Sequence, residues 1–296
     1  YDFKDTDYTC TAYNLIKRHR YPHKFYYVSF DRPERSYRFN PLKVVRDRTE
    51  LIQLMEDVLL ALLPKKEQQN EWVAGGLGIL RGVAFRFWDE FPEHCTLPHI
   101  LAFIMTASAR QLSLFLQQNL VSEMLAGAYL KAEGSEKTQA SYLSTLCNNL
   151  ATVSQNEEIA YVLSGDDFDF NLIDPENPKL FAVSNNFSKN SVYAPVISML
   201  MTISARQFSM QNRVPFVYFL DEMTTVNIKN FETLPSVLRE YKAAFILLTQ
   251  SGSKVENQYG RLDRSSVEAN FGNQFFGRTK DVESLKYYPM IFGKEE

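Results

Sequence analysis

Five apolar residues, Phe216-Val217-Tyr218-Phe219-Leu220, run directly into two adjacent carboxylates, Asp221 and Glu222. A run this short and this apolar suits a strand buried on both faces of a parallel sheet, with the acids emerging at its C-terminal edge. Open α/β sheets bind their ligands along that edge. A polar turn, Thr224-Thr225-Val226-Asn227, follows, and then Leu234, Val237, Leu238 and Tyr241 keep the spacing of one apolar helix face. A second apolar run, Ala243 to Leu248, ends in Thr249-Gln250-Ser251. The pattern predicts two parallel strands joined by a crossover helix, with polar residues at both C-terminal tips.

Those tips carry a recognisable chemistry. An Asp in the position of Asp221 helps hold Mg²⁺ beside a nucleoside triphosphate, and a Glu in the position of Glu222 can polarise the attacking water. The Gln250 carboxamide both donates and accepts, so it can bond a terminal phosphate or that water. Arg239 lies eleven residues before Gln250, late in the crossover helix. Its guanidinium can pair with a helix acid, or reach a neighbouring subunit's nucleotide as an arginine finger. The acid pair alone is equally well read as the end of a core strand in a solvated turn.

The ordered set of motifs resembles the ATPase domain of type IV coupling proteins of the TraG/TraD type, the motors of conjugative DNA transfer. It comprises Asp221-Glu222, Leu238-Arg239, Leu247-Leu248-Thr249-Gln250-Ser251 and Gln258-Tyr259-Gly260. Asp2-Phe3-Lys4-Asp5 resembles that family's D-x-K segment at the end of the strand after the phosphate-loop helix. Pro33-Glu34-Arg35-Ser36 with Asn40-Pro41-Leu42 resembles its "P-x-R-S…NPL" turn. Asn70-Glu71-Trp72 with Gly75, Leu77 and Leu80 resembles the start of its all-α insert, and Asn270, Phe275-Phe276-Gly277 and Asp281 its last core strand and following loop. The wording is most similar to mobilisation proteins of Bacteroides-type elements.

The resemblance implies a RecA-like α/β core, a parallel sheet with flanking helices, interrupted by an all-α insert. It implies ATP and Mg²⁺ as cofactors, with Asp221 on the metal, Asp2 and Lys4 near the nucleotide, and Glu222, Gln250 and Arg239 in the hydrolytic step. The implied partners are single-stranded DNA, a relaxase with its relaxosome and a type IV secretion channel. The implied assembly is a homo-hexamer at the cytoplasmic side of the bacterial inner membrane, its membrane anchor outside this chain. A non-hydrolysing adaptor that recruits relaxosome or protein substrate is the alternative. A motor of the same superfamily acting on duplex DNA or protein is a third reading.

None of the twelve glycines opens a G-x-x-x-x-G-K-[ST] loop. The one Gly-Lys, Gly293-Lys294, precedes Glu295 and has no glycine five positions earlier. A phosphate-binding loop upstream of Tyr1 is expected, with a degenerate ATPase as the competing explanation. Backbone N–H groups of such a loop and its Lys are what bind phosphates, so the sequence from Tyr1 onward is expected to bind ATP poorly by itself.

An apolar fraction of 45% and an aromatic fraction of 14% exclude disorder. No stretch approaches 18 uninterrupted apolar residues. Cys10, Cys95 and Cys147 are odd in number, scattered and without C-x-x-C spacing, which points to free thiols. His19, His23, His94 and His99 show no metal-ligand pattern. Net charge is −3. Residues 1–48 nevertheless carry 11 Lys/Arg against 6 Asp/Glu. Lys17-Arg18-His19-Arg20 is read as a solvated helix end, and Arg32, Arg35 and Arg38 as solvating a turn or, in a ring, contributing to a positive channel.

Three segments are expected. Residues 1–45 form the first part of the nucleotide-binding domain, with a strand end, a helix, a strand at Phe25–Phe30 and a turn closing at Asn40-Pro41. Residues 46–165 hold helices and no strand, at 51–62, 72–88, 97–105, 109–118, 122–131 and 137–153. Gly75, Gly78 and Gly82 mark a face that admits another helix closely, and Phe85, Phe87, Trp88 and Phe91 read as core rather than base-stacking residues. Residues 166–296 form the second part, with a strand at 180–184, a helix from 192 to about 211 and the Asp221 strand.

Overall fold

The computed structural model describes residues 1–63, 68–208 and 214–293. Among these residues four strands pair two by two. β1 (Lys24–Ser29) lies parallel to β2 (Lys179–Ser184) in the register Lys24↔Lys179 through Ser29↔Ser184. β3 (Phe216–Leu220) lies parallel to β4 (Ala243–Leu247), from Phe216↔Ala243 to Leu220↔Leu247.

The first two residues bridge the pairs. Asp2 forms a parallel bridge with Ser184; its N–H donates to the Val183 carbonyl and its carbonyl accepts from Asn185 N–H. On its other side the Tyr1 nitrogen donates to the Phe219 carbonyl at 2.8 Å, and Asp221 N–H donates to the Tyr1 carbonyl at 3.2 Å. The order across is therefore β1, β2, Tyr1-Asp2, β3, β4. All run the same way, so every C-terminal tip opens on one edge.

Helix α1 (Asp7–Arg18) follows the Asp2 bridge. Lys17 and Arg18 fall in its last turn, where cations suit the helix dipole. Helix α10 (Asn190–Arg206) covers one sheet face, and the Ser204 hydroxyl meets the Tyr218 hydroxyl at 3.0 Å. On that face Tyr218 stacks on Phe245 with ring centroids 4.8 Å apart.

The opposite face departs from the sequence expectation. Val217, Phe219 and Ile246 are exposed there, so β3 is covered on one face rather than two. Tyr8 of α1 lays its ring against Phe219, 5.4 Å between centroids. An apolar run is compatible with either arrangement, because hydrophobicity alone does not record which face finds a neighbour.

Residues 46–165 are helical, without a strand among the described residues. They form α2 (Arg48–Ala61), α3 (Glu71–Glu90), α4 (Leu97–Thr106), α5 (Ala109–Gln117), α6 (Leu120–Leu125), α7 (Gly127–Lys131), α8 (Glu136–Ser154) and α9 (Glu157–Leu163). Helix α3 is the hub, packed by α2, α4, α6, α7 and α8. Its glycines are what let the neighbours in. A Cβ at Gly78 would lie 2.8 Å from the Leu125 carbonyl oxygen, and one at Gly82 would lie 2.9 Å from that of Ser122. Phe87, Phe91, Phe103 and Phe115 cluster beside α3, so these aromatics pack on one another. The expected helix over 122–131 is two. Asn119 caps α6 by accepting from Val121 and Ser122 N–H, and the chain leaves helical geometry at Ala126. Helix α9, capped by Asn156, was not anticipated; seven residues give too short a period to read.

The last third adds α11 (Leu234–Glu240), α12 (Gly252–Tyr259), α13 (Arg261–Ala269) and α14 (Val282–Phe292). Residues 271–281, expected to contain a last core strand, are irregular, and Phe275 is fully exposed. The helix expected to reach residue 211 ends at Arg206, and 209–211 lie outside the described residues.

Candidate functional site at the sheet edge

The acids stand where β3 ends. Pairing with β4 continues past the strands: Leu248 N–H donates to the Leu220 carbonyl and Met223 N–H to the Leu248 carbonyl. This extension holds Asp221-Glu222 beside the Thr249-Gln250-Ser251 turn. Asp221 is buried, and among the described residues its carboxylate accepts one long hydrogen bond, from Phe3 N–H at 3.4 Å. Burial raises its pKa above the usual carboxylate value, and the like charges of Glu222 and Asp2 add to the rise, while the Phe3 bond and the Lys4 charge oppose it.

Glu222 occupies the left-handed region, with φ 46° and ψ 54°. A side chain with a Cβ is strained there by about 1–3 kcal/mol, a cost that concentrates at working sites. Its Oε2 is buried and has no hydrogen-bond partner among the described residues. The Lys254 ammonium stands 3.9 Å away. The same ammonium donates to Gln250 Oε1 at 2.6 Å. One lysine thus links the Glu222 and Gln250 side chains, placing them in one cluster.

A row of side-chain hydrogen bonds fixes the turn after the acids. Asn185 Nδ2 donates to the Tyr1 hydroxyl at 3.0 Å and to Asn190 Oδ1 at 2.7 Å. The Tyr1 hydroxyl lies 2.6 Å from Thr225 Oγ1, which donates to the Glu222 carbonyl at 2.7 Å. The Tyr1 phenol is pushed up to about 12, by burial first. It therefore remains neutral and available as a donor at physiological pH.

The other expected site residues divide. Asp2 is buried, but its carboxylate is engaged locally: Oδ2 accepts from Thr9 N–H at 2.9 Å and Oδ1 from Lys4 N–H at 3.3 Å. It holds the start of α1. Lys4 is exposed, and its charge acts on Asp221. Arg239 lies in the last turn of α11, just before β4 begins. It is therefore on the opposite edge of the sheet from Gln250. Four residue steps of β4 separate the two edges, about 13 Å at strand rise. Within one chain Arg239 does not join the acids.

Sequence reasoning missed Lys254, Asn185 and Thr225. The one available signal for Lys254 was its spacing of four from Gln250 around an N-capping Ser251, whose hydroxyl accepts from Lys254 N–H. A second charged group occupies the same edge. Arg32 pairs with Asp5 at 2.5 Å, and Asp31 accepts from Lys189 at 2.6 Å and from Asn186 at 2.8 Å. Arg38 lies over the Tyr161 ring and donates to the Tyr161 carbonyl, a packing role.

A search of curated protein sequences returns no match. Among solved structures, the chain is similar to the "bacterial conjugative coupling protein TrwBdeltaN70", trigonal form in complex with sulphate. The TM-score is 0.65 at 16% identity, over 88% of this chain and 64% of that one. It is similar to the plasmid coupling protein TrwB in complex with ADP and Mg²⁺, with a TM-score of 0.62, 16% identity and the same coverage. TrwB with the ATP analogue ADPNP gives 0.64 at 15% identity, again over 88% and 64%. The chain thus spans just under two thirds of these structures, and at such identities the likeness concerns the fold. The family described as the type IV secretion-system coupling protein DNA-binding domain matches residues 31–296. On that match, with parallel strands delivering Asp221, Glu222 and Gln250 to one edge, the chain belongs to the type IV coupling protein family.

Proposed function

We propose that this edge is the hydrolytic side of a Mg²⁺–ATP site in a conjugative coupling ATPase with a RecA-like core. The supporting observation is the pair of underused buried carboxylates. Among the described residues Glu222 Oε2 lacks a hydrogen-bond partner and Asp221 has one long bond, with a pKa raised by burial. Such groups are costly unless something positive arrives. The residues present therefore fit a divalent cation and an attacking water. TrwB, similar in fold, has been seen with ADP and Mg²⁺ and with ADPNP.

When bound, Mg²⁺ would neutralise charge on the phosphates. Asp221 would hold it, directly or through water. Glu222, whose Oε2 accepts no hydrogen bond among the described residues, would orient the attacking water and accept its proton. Gln250 would donate to the terminal phosphate from the neighbouring strand tip, and loss of that phosphate would be felt along the Thr249–Ser251 turn. Lys4 would add positive charge beside the nucleotide, whereas Asp2 would act by holding the start of α1. Arg239, on the far edge, would serve only a nucleotide on an adjacent subunit, which accords with a hexameric ring.

In this reading the motor moves single-stranded DNA and its attached relaxase to a secretion channel, at the cytoplasmic side of the inner membrane. No helix among the described residues is long and apolar enough to cross a membrane. Mg²⁺-dependent ATP turnover by the full-length gene product, stimulated more by single strands than by duplex at matched salt, tests the reading. DNA or relaxase binding without turnover would return the non-hydrolysing adaptor.

A further inference from the structure

The hydrolytic cluster contains one cation that the roles above do not use. Lys254 sits in the first turn of α12, three residues after its N-cap Ser251. Its ammonium is 2.6 Å from Gln250 Oε1 and 3.9 Å from Glu222 Oε2. The lysine side chain is about half exposed, at 47%, while that of Glu222 is 10% exposed. A half-exposed cation thus reaches into a buried, acid-lined edge.

We propose that Lys254 is a positioning residue for the hydrolytic step, acting through Gln250 and beside Glu222. The inference rests on the nucleotide-site reading above. An ammonium only donates, so the carboxamide atom facing it is the oxygen. With Oε1 held, the Gln250 NH₂ group is turned away from the lysine and left free to donate. An amide flipped by half a turn would instead set its NH₂ against the ammonium, two donors face to face. Lys254 therefore selects the orientation in which Gln250 can bond an anionic oxygen of the terminal phosphate.

Lys254 also acts through its charge. Asp221 and Glu222 are neighbours in sequence and both buried. A cation 3.9 Å from Glu222 offsets part of their repulsion without donating a hydrogen bond to it. Among the described residues Glu222 Oε2 accepts no hydrogen bond, so it remains open for a water proton. A shorter contact would occupy that lone pair and remove the base; a missing cation would leave two buried like charges unbalanced.

The test is steady-state hydrolysis of Mg²⁺–ATP by the full-length gene product. It compares the natural protein with Lys254→Met, Lys254→Arg, Gln250→Ala and the double variant Lys254→Met/Gln250→Ala, each checked for folding by circular dichroism. Lys254→Met is expected to lower kcat by about tenfold or more with KM changed less than about threefold, since the interaction acts on the reacting state. Lys254→Arg, still a donor, is expected to recover most of the loss. The double variant is expected to be no slower than Gln250→Ala within about twofold, because the lysine acts through the glutamine. Two results would overturn the lysine's role while leaving the site assignment in place. One is an unchanged kcat in Lys254→Met, and the other is a double variant whose losses multiply. Absence of turnover in the natural protein would overturn both.

Discussion

Lys229 donates to Asp57 at 2.5 Å across 172 positions of sequence, tying the loop beyond the acid pair to helix α2. Arg206, at the end of α10, donates to the other oxygen of the same carboxylate at 2.5 Å. The Asp57 side chain is 6% exposed, whereas those of the cations are 24% and 44% exposed. Removing the acid strands two cations at the seam between helices and sheet. Asp57→Ala is expected to cost about 2–4 kcal/mol, somewhat below a fully buried pair because the cations regain water. Urea unfolding should show a lower midpoint at unchanged slope. A loss below about 0.5 kcal/mol, the range of an exposed pair, would contradict this.

Gly82 and Gly127 should respond oppositely to the same added methyl. The Gly82 carbonyl accepts from the Ser122 hydroxyl at 2.8 Å, and a Cβ there would meet Leu116 at 2.7 Å and the Ser122 carbonyl at 2.9 Å. Gly82→Ala is expected to destabilise by about 1–3 kcal/mol through overpacking, more than the roughly 1 kcal/mol gained in helix propensity. A Cβ at Gly127 meets nothing within 4 Å, so Gly127→Ala is expected to be neutral or stabilising by up to about 1 kcal/mol. Thermal melts of both variants check the contrast.

Asp221 should be a cost to the empty protein. Its folded pKa is raised, chiefly by burial, so the folded chain holds this proton more tightly than the unfolded one. Stability from this group is therefore lost as pH rises from the ordinary Asp value through the raised value, and the loss is complete above it. Asp221→Asn is expected to stabilise the metal-free chain at neutral pH by about 0.5–2 kcal/mol, the common gain from relieving a strained working site. The gain should shrink as pH falls below the usual carboxylate range. Melting temperatures at neutral and acid pH, without divalent cations, measure it. An equal effect at both pH values would show that ionisation is not its origin.

The turn after the acids should depend on Thr225. Its hydroxyl links the Tyr1 hydroxyl to the Glu222 carbonyl. Thr225→Val keeps the shape and removes the link, and is expected to cost about 1–2 kcal/mol. Hydrogen exchange at Met223 and Thr225 N–H, which bond Leu248 and Glu222 carbonyls, should quicken. Unchanged protection there would separate the turn from the network.

What could be read from sequence follows from what parallel sheets require. Two apolar runs separated by a helix must place Asp221-Glu222 and Gln250 on one edge, since a right-handed crossover returns the second strand parallel to the first. The glycine face of α3 was legible for a similar reason, because glycines at helical spacing have few purposes other than close approach. The exposure of Val217 and Phe219 was not legible, since an apolar run has the same spelling whether one face or both are covered. Nor was Lys254. On a polar surface helix a lysine is the commonest residue, and only the neighbouring strand tip makes it part of the cluster. The strand expected near Phe275 failed because a short apolar pair such as Phe275-Phe276 needs a pairing partner, and residues 271–281 have none in regular structure.

In the proposed site Glu222 activates water beside a Mg²⁺–triphosphate. The most direct measurement compares Mg²⁺–ATP binding and single-turnover hydrolysis in the full-length gene product and in Glu222→Gln. The variant is expected to bind within about threefold of the natural protein and to hydrolyse at least about 100-fold more slowly, the usual loss on removing a general base. Near-normal hydrolysis by Glu222→Gln would exclude Glu222 as the general base.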